Sequence, residues 1–218
     1  MSPPKESDRV TSVGEMSNRE FLEKYASAGR VGLVCGTFRV DKLIRRAQRH
    51  VDENKEWSLW SHALLFQGER ADGHHWVIES DLDVHHKHIR LGAQENRVAK
   101  YFDEAAFPHL AVLDFGLDAA QSRQVVREGL ELVAGRVRYS LRELLGTLVA
   151  LRVPSLRSRE NRLARDNSFY CSAFIQHLFA KCGIDLVPEV EVKRNTPEDL
   201  FRSPLARATY LLRRKTAT

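Results

Sequence analysis

The stretch Trp60-Ser61-His62-Ala63-Leu64-Leu65-Phe66-Gln67-Gly68, followed after Asp72-Gly73 by His75-Trp76-Val77-Ile78-Glu79, decides the fold. Both runs are short, apolar and rich in β-forming residues, and a polar segment containing glycine separates them. The pattern predicts a β-hairpin, its first strand running from Trp57 to Phe66 and its second from His75 to Glu79. Upstream, Val31-Gly32-Leu33-Val34-Cys35 is an apolar run ended by Gly36 and reads as a buried strand. Downstream, the alternation of Leu82, Val84 and Ile89 predicts a third strand over 81–91. Leu110 to Phe115 and Ala208 to Leu212 read as further strands.

Helical spacing surrounds this β-rich centre. Ser17 and Glu20 have capping-box spacing and open a helix that stops near Gly29. Val40, Leu43, Ile44 and Ala47 recur on one helical face. A moderate helical pattern covers 94–106, and stronger ones cover 119–134 and 139–151. Phe169 to Lys181 is an apolar helix ended by Cys182-Gly183, and Thr196-Pro197 starts a short one with proline at the first position. Helix, then strands, then helices, without regular βαβ alternation, predicts the α+β class. Residues 1–16 are polar and read as a flexible leader, leaving 17–218 as one domain.

Composition narrows the class. The chain has 218 residues, 43% of them hydrophobic and 29% charged, which fits a globular domain and excludes a fibre or a disordered tail. No run reaches the ~20 apolar residues of a spanning helix. The start lacks the apolar core of a general secretory signal, so a cytoplasmic location is expected, specialised export aside. Cys35, Cys171 and Cys182 are too few for a disulfide framework and read as thiols in a reducing compartment. The net charge of +5 selects no partner by itself.

Three places carry chemistry. Tyr170-Cys171-Ser172 sets a cysteine in the first turn of an apolar helix, where the helix dipole and free N–H groups favour thiolate. His62 lies in an otherwise apolar strand, where a buried imidazole needs a partner. Glu79 ends the neighbouring strand, within reach of that imidazole if the hairpin forms; Asp114 is the alternative acid. Each also has a structural reading: a buried thiol, a core histidine bonded to a carbonyl, a solvated carboxylate. His74, His75, His85, His86 and His88 cluster near one hairpin, but their spacing fits no zinc framework, so no metal and no cofactor are expected. Arg152, Arg157, Arg159, Arg162 and Arg165 crowd a polar stretch that could form a lid attracting an anionic group. Without interleaved aromatics it does not point to specific nucleic-acid binding.

Taken in order, these segments resemble the circularly permuted branch of the NlpC/papain-like superfamily, the YiiX/YaeF-like amidases, related to lecithin retinol acyltransferase-like proteins. The likeness rests on Lys42-Leu43-Ile44-Arg45, Trp60 to Phe66, Val77-Ile78-Glu79, Tyr170-Cys171-Ser172, and Asn195-Thr196-Pro197-Glu198-Asp199-Leu200 with Arg202-Ser203-Pro204. It spans about residues 30–205. One departure is Ala173, where the family often has an acid. The resemblance implies a permuted papain-like fold, a central antiparallel sheet or partial barrel packed against helices that include the Cys helix. It implies Cys171 as nucleophile, His62 as general base and Glu79 as orienting acid, with Ser61, Tyr170 and Ser172 around the substrate. The activity it implies is cleavage of an amide, ester or thioester acyl bond in a peptide, isopeptide or lipid, without a cofactor. Acyl transfer by the same pair and a silent binding module are the alternatives, and the oligomeric state is left open.

Overall fold

The computed structural model describes residues 10–51, 54, 56–85, 88–135, 171–188, 190–192 and 195–214. They build a seven-stranded, mostly antiparallel open sheet of order β1-β7-β6-β2-β3-β4-β5. The strands are β1 (Val10–Val13), β2 (Val31–Cys35), β3 (His62–Glu69), β4 (His75–His85), β5 (His88–Arg97), β6 (His109–Asp114) and β7 (Ala208–Arg213). The helices are α1 (Asn18–Tyr25), α2 (Arg39–Ala47), α3 (Ala119–Ala134), α4 (Cys171–Lys181) and α5 (Pro197–Phe201). The α+β class read from the sequence is therefore the observed one. Among the described residues, no helix is long and apolar enough to cross a membrane.

Strand alternation divides the core in two. Ala63, Leu65 and Ile78 face one side, where Val125 of α3 and Phe174, Ile175 and Leu178 of α4 cover them. Leu64, Phe66 and Val77 face the other, under Phe21 and Leu22 of α1 and Val98 and Tyr101 of a 3-10 turn (Val98–Tyr101). With both faces covered, central strands such as β2, all five residues buried, read as continuous apolar runs. The helix starts follow local chemistry. Ser17 with Glu20, Asp118 with Gln121 and Thr196 with Asp199 each form a reciprocal capping box, and Pro197 sits at the start of α5.

Three expectations need correction. The hairpin exists, with β3 and β4 antiparallel, but its first strand begins at His62 rather than Trp57. Residues 81–91 are not one strand: β4 runs on to His85 and turns into β5. The helical pattern over 94–106 is overridden because 94–97 complete the long β4–β5 ladder, leaving a 3-10 turn where a helix was expected. Within the supposed leader, Val10–Val13 pair in parallel with β7, a partner nearly 200 residues away. The helix expected over 139–151 lies outside the described residues.

Gly32, at the centre of β2, shows how closely the sheet is packed. A methyl group there would come within 2.5 Å of Leu64 Cδ1 and 2.8 Å of Phe66 Cζ. Overpacking of this kind costs about 1–3 kcal/mol. Gly32→Ala is expected to lower the urea unfolding free energy by that amount, and an unchanged midpoint would show that the sheet yields there.

Candidate active site

Strand β3 starts at His62, and two devices fix that start. Ser61, itself buried, accepts a hydrogen bond from Gly36 N at 2.9 Å and donates to Val34 O at 3.2 Å, locking the chain to β2. Just upstream, Ser58 Oγ donates to buried Glu198 Oε2 at 2.7 Å and accepts from Trp60 N at 2.9 Å. Gln48 donates to Trp60 O at 2.8 Å and accepts from Glu198 N at 2.9 Å. The Thr-Pro-Glu-Asp segment at α5 thereby grips the lead-in to His62.

The same segment holds the start of α4. Buried Ser172 donates its hydroxyl to Asn195 O at 2.6 Å. Both serines, expected near a substrate, thus commit their hydroxyls to backbone partners in the interior. Tyr170 lies outside the described residues, as does the arginine-rich segment 152–165. Ala173 is fully buried, so the acid found there in the resembled family would have to be buried too.

Cys171 is the first residue of α4, a helix that packs over β3 and β4. It is half-buried, and it lies near enough to His62 to act on the imidazole electrostatically. His62 Nε2 donates to Glu79 Oε2 at 2.6 Å, which leaves Nδ1 uncommitted to that acid. Of the three residues expected to act together, His62 and Glu79 are thus in direct contact, with Cys171 beside the imidazole. Asp114, the alternative acid, is paired elsewhere: Arg30 reaches its Oδ2 at 2.8 Å, and its Oδ1 caps Gly116 N. Cys35 and Cys182 stand apart, and burial pushes both thiols up.

Glu79 has no exposed surface, yet four donors satisfy it. His62 and Tyr101 OH meet Oε2; Asn96 Nδ2 at 2.6 Å and Lys100 Nζ at 2.8 Å meet Oε1. Burial alone would raise its pKa, but the His62 hydrogen bond and charge, with Lys100, hold it well below the carboxylate range. Burial likewise opposes the His62 imidazolium. The Asp81 charge, the nearby Cys171 thiol and the Glu79 hydrogen bond outweigh that cost and hold its pKa well above 6.5. Tyr101 is pushed up by burial and by the charges of Glu79 and Asp81, so it stays a donor.

Sequence reading missed Asp81, Asn96, Lys100 and Tyr101. The signal for Asp81 was present: two residues beyond Glu79 on one strand, it shares a face with it. The others depend on the β4–β5 register, which sets Glu79 opposite Gln94 and brings the 3-10 turn alongside. Among the described residues, His62, Glu79 and Asp81 form the one group of potential metal ligands, their atoms all within 4.8 Å. Lys100 Nζ lies between the two acids, 2.6 Å from Asp81 Oδ2.

No family model matches the sequence, and no curated protein matches it. Among solved structures, the fold is similar to the crystal structure of the metalloprotein YiiX from Escherichia coli O157:H7, DUF1105. The TM-score is 0.52 at 11% identity, over 87% of this chain and 97% of that one. At that identity the likeness establishes the fold.

The charge arrangement fixes a stability profile. Glu79 contributes fully above 4.5, its contribution fading as pH falls toward its depressed value; His62 contributes fully below 6.5, fading as pH rises through its raised value. Glu79→Gln removes one partner of a buried pair, a change costing about 3–5 kcal/mol. The stability gap between wild type and this variant should be widest between pH 4.5 and 6.5, measured by urea unfolding across pH. A pH-independent gap would contradict the assignment.

Proposed function

We propose that the protein is a papain-like cysteine hydrolase of the permuted kind, cleaving an amide, ester or thioester through a thioacyl intermediate on Cys171. One observation carries the reading: an imidazole bonded to a buried carboxylate, with the thiol of a helix packed over the same strands close enough to raise the ring's pKa. This is the nucleophile–base–orienter arrangement of acyl-transfer enzymes. The fold shared with YiiX supports it, as does the order of strand His, strand acid and downstream Cys.

In this reading His62 takes the Cys171 proton through Nδ1 while Glu79 holds Nε2–H and the tautomer. The sulfur attacks the acyl carbon, and in this reading backbone N–H groups of the first described turn of α4, Cys171's own among them, bind the developing oxyanion. The His62 imidazolium then protonates the leaving amine, alcohol or thiol as the tetrahedral intermediate collapses. Water, activated by the same imidazole, cleaves the thioester and returns the thiol. The site accounts for these steps with its own groups.

YiiX is described as a metalloprotein. The donors here do not fit an ion. Both Glu79 oxygens already accept two hydrogen bonds each, which fills a carboxylate's lone pairs. His62 Nε2 faces Glu79 as an N–H donor, and Asp81 holds an ammonium. No step is assigned to a metal.

Two experiments test the reading. Cys171→Ala and Cys171→Ser should remove turnover of a mixed amide, ester and thioester panel without unfolding the chain; wild-type rates in either folded variant would refute the nucleophile. His62→Ala should lower the rate by about 10²–10⁴-fold, the usual worth of a positioned general base. Added amine or alcohol acceptors in the same assay separate hydrolysis from acyl transfer. Independently of substrate, limiting iodoacetamide at pH 6 should label Cys171 well before Cys35 and Cys182, and His62→Ala should abolish that preference. Equal labelling of all three would favour an inert module.

A further inference from the structure

We infer that Lys100 is a built-in cation: its ammonium fills the position between Glu79 and Asp81 that a divalent ion would otherwise take, and so leaves His62 unmetallated. The inference deepens the thiol–imidazole reading and rests on it for the consequence that an unmetallated His62 serves as base.

The geometry argues as follows. His62, Glu79 and Asp81 gather two carboxylates and an imidazole within 4.8 Å, a donor set of the kind that holds zinc. Two like charges at that separation repel, and one of them, Glu79, is fully buried. Such a pair must bind a cation or take up a proton. Lys100 supplies the cation from the 3-10 turn that follows β5, with Nζ 2.8 Å from Glu79 Oε1 and 2.6 Å from Asp81 Oδ2. Both carboxylates answer by raising the Lys100 pKa despite burial, so it stays charged. An ammonium is a point charge with three donors and no lone pair. It satisfies the acids and leaves the His62 Nε2–H bond to Glu79 in place, whereas a metal held by the acids and the ring would require Nε2 to give up that proton.

Removing Lys100 would take one hydrogen bond from Glu79 Oε1 and the ammonium from Asp81 Oδ2, on either side of a vacated cation position, with His62 Nε2 as third ligand once its proton is displaced. Lys100 is thus a positioning residue that acts through Glu79, and its loss should create a metal site.

The test compares wild type, Lys100→Met, Lys100→Arg, Asp81→Asn and the double variant Lys100→Met/Asp81→Asn as full chains. Each is dialysed against Zn²⁺ and then buffer, and bound zinc is counted by mass spectrometry of the ion, with circular dichroism as the folding check. Methionine keeps the apolar stem and guards against collapse of the turn. The expected result is one more equivalent of zinc in Lys100→Met than in wild type, lost again in the double variant, with Lys100→Arg matching wild type. A merely structural lysine would not produce that pattern. A folded Lys100→Met with no added zinc would overturn the inference, and so would wild-type zinc that disappears on Asp81→Asn. The count is independent of turnover: if Cys171 proves not to be a nucleophile, the zinc result still decides the role of Lys100.

Discussion

Glu79 carries a negative charge into a sheet interior with no access to water, a position that is costly unless every lone pair finds a donor. Here every lone pair does. His62 approaches from β3, Asn96 from β5, and Lys100 and Tyr101 from the turn beyond it. The carboxylate therefore ties together β3, β4 and β5, the three strands at one edge of the sheet, and the turn that follows β5. It also determines the state of His62: with Nε2–H held by an acid kept ionised, Nδ1 is left uncommitted to that acid and the ring favours its charged form. The electrostatics of the site and the packing of the sheet are one arrangement.

A second constraint brings the two halves of the site together. Cys171 and His62 lie on separate elements far apart in sequence, and neither alone fixes the distance between them. Residues 195–198 do so by touching both. Asn195 O receives the Ser172 hydroxyl at one end, and Glu198 receives Ser58 and is braced by Gln48 at the other. A short capped helix with proline at its first position suits this task, because its backbone direction is set before any tertiary contact forms. The conspicuous Thr-Pro-Glu-Asp spelling is thus a clamp whose local rigidity becomes accuracy at the site.

How much of this was legible followed from the range of the forces involved. Strands β2, β3 and β6 and helices α1 and α3 announced themselves through apolar runs, periodicity and capping boxes, which are local. Cys171, His62 and Glu79 were found because each is chemically odd in its setting: a thiol at a helix start, an imidazole in an apolar strand, an acid at a strand end. Strand β1 was missed because four partly exposed residues become a strand only by pairing with β7. Residues 94–106 carry a moderate helical period, and the ten consecutive pairs of the β4–β5 ladder outweigh it over 94–97. Lys100 gave no signal at all, since a lysine in a polar stretch normally faces water; only the register reveals that it meets two acids.

The central claim is that the sulfur of Cys171 and the imidazole of His62 act as one chemical unit. Stopped-flow reaction with an activated ester, followed by intact-mass and peptide analysis of the quenched protein, tests it most directly. The account predicts a burst of one acyl group per chain, located on Cys171, formed in wild type and absent in His62→Ala. Acyl groups on Cys35, Cys182 or lysines, or an undiminished burst without the imidazole, would contradict it.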